Sequence, residues 1–146
     1  MKYYDEYQKF MRYKYGHHAF AIVLTLTILN MIISSAYDIQ WAQTKEIESM
    51  VIMVIAVFYA IIMSIYRGAY FAKWENPIFY SIIFLFIGLM NFYLSFSPHT
   101  PMIVDGQLTL NVMMLMSGIV WLAIPITYFV KLVVEKRRDA KEDEEE

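Results

Sequence analysis

The chain has 146 residues, 59% of them hydrophobic and 17% aromatic, with a formal net charge of -2 and a mean hydropathy of +0.43. A soluble domain is nearer half apolar, and here the apolar residues fall in blocks rather than at amphipathic spacing; the length fits one domain. Cys is absent, which excludes disulfides, thiol redox chemistry, thiolate metal sites and a quinone-linked disulfide-forming membrane enzyme.

Residues 1–18 form the first predicted element. Lys2 to His18 read KYYDEYQKFMRYKYGHH, with Tyr3, Tyr7, Phe10, Met11 and Lys14 at helical spacing and Asp5, Glu6, Gln8, Lys9 and Arg12 toward the polar side. This pattern predicts an amphipathic helix lying in the membrane interface, its Tyr rings at headgroup level and its cations on lipid phosphate. Gly16 is expected to end or bend it before the first span. The segment reads as an anchoring collar or as a docking surface for a cytoplasmic partner.

Residues 19–134 carry four predicted spans. At about 1.5 Å per residue, a hydrocarbon core of ~30 Å needs ~20 residues. The first span, 19–37, is AFAIVLTLTILNMIISSAY and holds no charge. It begins late and lacks a small-x-small cleavage site, so it reads as a retained span rather than a signal peptide. The second, 50–68, starts as MVIMVIAVFYAIIMSIY and can continue through RGAYFA. The third, 78–96, is preceded by Pro77, which is tolerated in a first helical turn. The fourth covers 110–134. Between the third and fourth, Asp105-Gly106 is a turn signal that predicts a small hairpin within Met102–Leu110. The expected architecture is therefore an all-α membrane protein, a four-transmembrane-helix antiparallel bundle with an N-terminal interfacial amphipathic helix.

Loop charges orient the spans. With both termini cytoplasmic, Lys2, Lys9, Arg12, Lys14, Arg67, Lys73, Lys131, Lys136, Arg137, Arg138 and Lys141 lie inside, and of the twelve Lys and Arg residues only Lys45 lies outside. The outer connection carries Asp38, Glu46 and Glu48. Residues 135–146 read EKRRDAKEDEEE, a charged cytoplasmic tail. Its basic cluster suits anionic headgroups, and its acidic run is expected to stay solvated and disordered.

Membrane helices associate through small residues and interhelical hydrogen bonds. Each span offers such a face: Thr27, Asn30 and Ser34 in the first; Ala56, Ala60, Ser64 and Gly68 in the second; Ser81, Gly88 and Asn91 in the third; Asn111, Gly118 and Pro125 in the fourth. Internal packing is the expected use of the second-span ladder, with a homodimer face as the alternative. Asn30 is expected near the midplane, bonded to Ser117 or another Asn. Pro125 should kink the fourth helix and free a carbonyl near Trp121.

On these boundaries no Asp, Glu, Lys, Arg or His lies deep in a span, whereas ion-coupled carriers usually keep a buried ionisable group. His17 and His18 sit at the inner boundary and His99 in the outer loop, so they make neither a haem pair nor a zinc site. No nucleophile triad, phosphate loop or paired carboxylate occurs at usable spacing. No enzyme activity, cofactor, metal or nucleic-acid partner is expected.

The pattern Asp5-Glu6-x-Gln8, then Arg12-x-Lys14-x-Gly16 and Phe20, resembles the start of a group of small bacterial multi-pass membrane proteins of uncharacterised function. Arg67-Gly68-Ala69-Tyr70 is similar to a short Arg/Asn-x-Ala-Tyr element that these often carry after their second span. The resemblance covers the first half of the chain. It implies a bacterial inner-membrane protein, a sensor, immunity factor or regulator-associated component, from a group commonly encoded beside helix-turn-helix regulators. It transfers no site residues.

The leading expectation is action through protein contacts at the inner face, carried by Asp5, Glu6, Gln8, Arg12, Lys14, Gly16, Arg67 and Tyr70, with a membrane or cytoplasmic protein as partner. The alternative is a small transporter or channel, as a monomer or a dimer, using the polar seam around Asn30, Asn91 and Asn111.

Overall fold

Capping residues fix where the helices begin. A computed structural model describes residues 4–96 and 101–145; Lys2, Tyr3 and His99 lie outside the described residues. Asp5 opens α1 (Glu6–Tyr37) through a reciprocal capping box with Gln8. Thr44 caps α2 (Lys45–Tyr66), and Asn76, followed by Pro77, caps α3 (Pro77–Ser95). The fourth helix, α4, spans Val112–Glu145 and contains Pro125 without interruption. All four helices are long and apolar enough to cross a membrane. Large apolar side chains stand exposed along them, Phe86, Phe129 and Met31 among others, as lipid requires and water penalises.

Several boundaries differ from expectation. Gly16 does not end a helix: α1 continues through it, so residues 6–18 are the first turns of the same helix that carries the first apolar run rather than a separate one. α2 starts at Lys45, not Met50, and stops at Tyr66. Gly68 is therefore not a rung of the helical ladder. It adopts φ +68° and donates to the Ile65 carbonyl, while Ala69 donates to that of Ser64, the paired bonds of a Schellman stop. Asn111 precedes α4 instead of lining it. Beyond residue 134 the backbone stays helical to Glu145, through the acidic run expected to be disordered.

The principal contacts run α1 on α2, α2 on α4, and α4 on α3. Chain direction alternates from helix to helix, but this order makes the central pair, α2 and α4, parallel neighbours, so the packing is not antiparallel throughout. Gly88 and Gly118 let α3 and α4 approach closely. A Cβ on Gly118 would lie 2.9 Å from the Phe92 backbone nitrogen, and one on Gly88 would lie 2.8 Å from Leu122. The small-residue seams of α2 and α3 also turn inward, with Ala56, Ser64 and Ser81 buried.

The register of α1 on α2 is set at two points. Near its start, Gln8 reaches the Gly68 and Phe71 carbonyls at 2.9 and 3.1 Å; toward its end, Asn30 reaches Glu48 at 2.8 Å. The stretch of α1 alongside α2 thus lies between Gln8 and Asn30, not over the apolar run 19–37. Between these points Tyr15, His18 and Tyr59 pack ring to ring, and His18 Nδ1 lies 3.1 Å from the Tyr59 hydroxyl.

At the end opposite the termini, the expected hairpin forms. β1 (Ile103–Val104) pairs antiparallel with β2 (Gln107–Leu108), pairing Ile103 with Leu108 and Val104 with Gln107. Asp105 and Gly106, with φ of 50° and 78°, supply the two left-handed positions of a type I′ turn. Leu108 also bridges Ala42 in parallel fashion, and Ala42, Ile47 and Val112 make a small apolar cluster beneath it.

Candidate functional site

Two polar centres stand out, one at each end of the α1–α2 pair. The first lies at the end that carries the termini. Asp5 Oδ1 accepts from the Gln8 amide at 2.7 Å, and Asp5 Oδ2 lies 3.4 Å from Lys73 Nζ. The Gln8 amide bond and the Lys73 charge hold the Asp5 carboxyl below the ordinary carboxylate value. Gln8 is buried, and both its amide hydrogens go to carbonyls of the 67–71 turn. Asp5 and Gln8, expected to face a partner, thus hold α1 to the connection between α2 and α3. That connection is itself tied: Glu75 Oε2 accepts from the Ala72 amide at 2.7 Å.

Beside this junction runs an open cleft. Arg12 and Tyr70 border two adjoining cavities. One, of about 250 Å³, is also lined by Tyr4, Phe71, Glu75 and Tyr80. The other, of about 210 Å³, dips along α2 over Ala60 and Ser64. The Arg12 guanidinium stacks 4.2 Å from the centre of the Tyr4 ring. Tyr70 is half-buried, and that burial raises its phenol above the ordinary value although the Arg12 charge opposes the shift. Because α1 sits low on α2, Arg12 lies level with the last turns of α2, beside Ala60, Ile61 and Ser64, not beyond them. Arg12 and Tyr70, 58 residues apart in the chain, lie together along this cleft; Glu6, Lys14 and Gly16 stay exposed and apart from it. Arg67 faces another cavity against α4.

The second centre corrects the reading of Glu48. Expected in a solvated outer connection, Glu48 instead sits in the first turn of α2 at 1% exposure. Its Oε2 accepts from Asn30 Nδ2, and its Oε1 accepts from the Trp41 and Ala42 amides at 3.0 and 3.4 Å. The Trp41 indole N–H donates to Asn30 Oδ1 at 2.7 Å, so both polar atoms of the Asn30 side chain have a partner. Asn30 therefore pairs with Glu48 and Trp41, not with Ser117 or another Asn, and an ionisable side chain does lie buried in a helix able to span.

The remaining seam residues stay separate. Thr27 is exposed, and Ser34 is half-buried without joining the Asn30 centre. Asn91 donates to Ile87 O in its own helix, and Asn111 donates to Pro101 O in the loop. Asn30, Asn91 and Asn111 thus make no common lining. Among the described residues, no group of three His, Asp or Glu side chains is placed to hold a metal ion.

A sequence signal for Glu48 exists. Thr44 followed by Glu46 and Glu48 is a helix start with an acidic first turn, and a helix from Lys45 places Glu48, Ile52, Ala56, Ala60 and Ser64 on one stripe. No comparable signal marks Lys73 or Glu75.

Compared with known proteins, the chain matches no family model, no curated protein and no solved structure.

Proposed function

We propose that this is a non-enzymatic multi-pass protein of a bacterial cytoplasmic membrane that works through protein contacts at the end carrying its termini. A regulator-associated, sensor or immunity-type component has this character, and the resemblance of the N-terminal segment points the same way. Both termini face the cytoplasm in this reading, because the cations of α1, the 67–76 connection and the end of α4 gather at one end while Lys45 stands at the other.

The observation that carries the reading is the Arg12–Tyr70 cleft. Arg and Tyr are the side chains most enriched where partners bind tightly, since each combines a large flat surface with hydrogen bonding. Here an Arg already stacked on Tyr4 faces a half-buried Tyr above a floor of small residues. A partner segment that runs along the membrane surface and offers a carboxylate to Arg12 fits this cleft. Affinity purification from native membranes should recover a stoichiometric partner that Arg12→Glu loses while the variant still unfolds at the wild-type temperature. Recovery of the protein alone, or a partner indifferent to Arg12→Glu, would contradict the reading.

One observation favours a second reading, a small transporter. Glu48 supplies the buried carboxylate that ion-coupled carriers keep. All three N–H groups around it are nonetheless local to the α1–α2 turn and Asn30, which suits a structural clamp better than a site that must open. Transport predicts flux in proteoliposomes that Glu48→Gln abolishes; no flux across a panel of ions and small metabolites would dispose of it.

A further inference from the structure

Where α4 passes the end of α2, three cations converge that the Arg12 cleft does not use. Lys131, Glu135 and Arg138 lie at helical spacing on one stripe of α4. Opposite them stand Arg67, at the end of α2, with Tyr66 and Tyr7. Together they border an open cavity of about 200 Å³.

Lys131 is the fixed point of this cavity. Its side chain is only 22% exposed, and a Cβ built on Gly68 would come within 2.9 Å of its Nζ. The closing carbonyls of α2 carry partial negative charge, which favours an ammonium at that place. The Glu135 carboxylate is 3.6 Å from Lys131 Nζ. Among the described side chains one carboxylate thus faces three cations, which leaves this lining with a positive excess. Arg guanidinium groups, an ammonium and phenol hydroxyls are the donors that phosphate oxygens take up best, and here they converge from three helices. The level fits as well: the apolar run of α4 closes at Val134, and the charged residues that follow stand where headgroups lie.

We propose that this cavity binds a single phosphate group, presented by an anionic phospholipid headgroup or by a soluble phosphate. It is a separate site from the contact cleft and does not depend on it.

The test is native mass spectrometry of the full chain released from nanodiscs containing equal amounts of phosphatidylglycerol and phosphatidylcholine. The chain should retain phosphatidylglycerol in preference. Lys131→Gln and Arg138→Gln should each lower that retention about tenfold or more, as expected when a charge-assisted hydrogen bond to a phosphate oxygen is lost. Glu135→Gln should raise it, because the competing carboxylate is gone. Lys136→Gln and Arg137→Gln remove the same charge from exposed positions outside the cavity and should lower it clearly less, by the few-fold of a general surface charge. A parallel arm adds inorganic phosphate: retention that survives it assigns the lipid headgroup, whereas displacement, with phosphate raising the unfolding temperature of lipid-free protein, assigns a soluble phosphate. Either result supports the site. Equal retention of the two lipids with no effect of phosphate, or equal losses in the flanking and cavity variants, would overturn it.

Discussion

A methyl group added at position 118 has nowhere to go. It would meet the backbone of Phe92 at 2.9 to 3.2 Å and the Gly88 carbonyl at 3.3 Å, so α3 and α4 would have to separate. Gly118→Ala should therefore destabilise by about 1–3 kcal/mol, the usual cost of overpacking. Gly16 is the opposite case: it is exposed, helical, and has nothing within 4 Å of a built Cβ. Gly16→Ala should stabilise by about 0.5–1 kcal/mol. Thermal unfolding in one detergent measures both, and a loss of stability at position 16 would contradict an open helical site there. The same assay reaches the buried carboxylate. Asn30→Leu leaves Glu48 Oε2 and the Trp41 indole each short of a partner, which predicts a loss of about 1–3 kcal/mol for each group stranded. At this scale the sequence was informative where spacing alone decides, as with Gly88 and Gly118 meeting between helices. It was not where a residue's class misleads: Glu48 looked like a loop acid because acids usually are, and three converging N–H groups reverse that only in three dimensions.

The helices are held as elements by their ends. α1 depends on the Asp5–Gln8 box, on Lys73, and on the two bonds from Gln8 into the 67–71 turn. Gln8→Leu strands the two carbonyls and should cost about 1–3 kcal/mol, with proteolysis of residues 4–18 accelerated before the rest of the chain opens. The same end should respond to acid. The folded Asp5 carboxyl titrates below its ordinary value of 3.8, so its stabilisation is complete above that pH and is lost as pH falls through the lowered folded value. Exchange of the Gln8 amide, corrected for its intrinsic pH dependence, should rise across that window in the wild type and not in Asp5→Ala. Helix existence was readable from apolar run length, and the hairpin from Asp105-Gly106. The ends were less so. Thr44 and the αL position of Gly68 set the limits of α2, whereas an apolar run fades without saying where its caps lie. Gly16 misled because an exposed glycine inside a helix costs stability without stopping it.

For the whole molecule, the order α1–α2–α4–α3 leaves α1 resting on α2, with Arg12 drawn down beside the last turns of that helix. Run lengths and loop charges cannot reveal this offset, because they fix which residues are apolar but not how one helix slides along another. The charge asymmetry predicts an orientation. Reporter fusions at either terminus should be active on the cytoplasmic side, and inserting a reporter after Asp38 should give the opposite result; an external terminus would reverse the assignment. The account turns on the cleft this offset creates. Its most direct test is site-specific photo-crosslinking in native membranes, with benzoylphenylalanine in place of Tyr70. The account predicts one discrete protein adduct, abolished by Arg12→Glu and absent when the probe replaces Phe129 on an exposed face of α4. No adduct from position 70, or the same adducts from both positions, would contradict it.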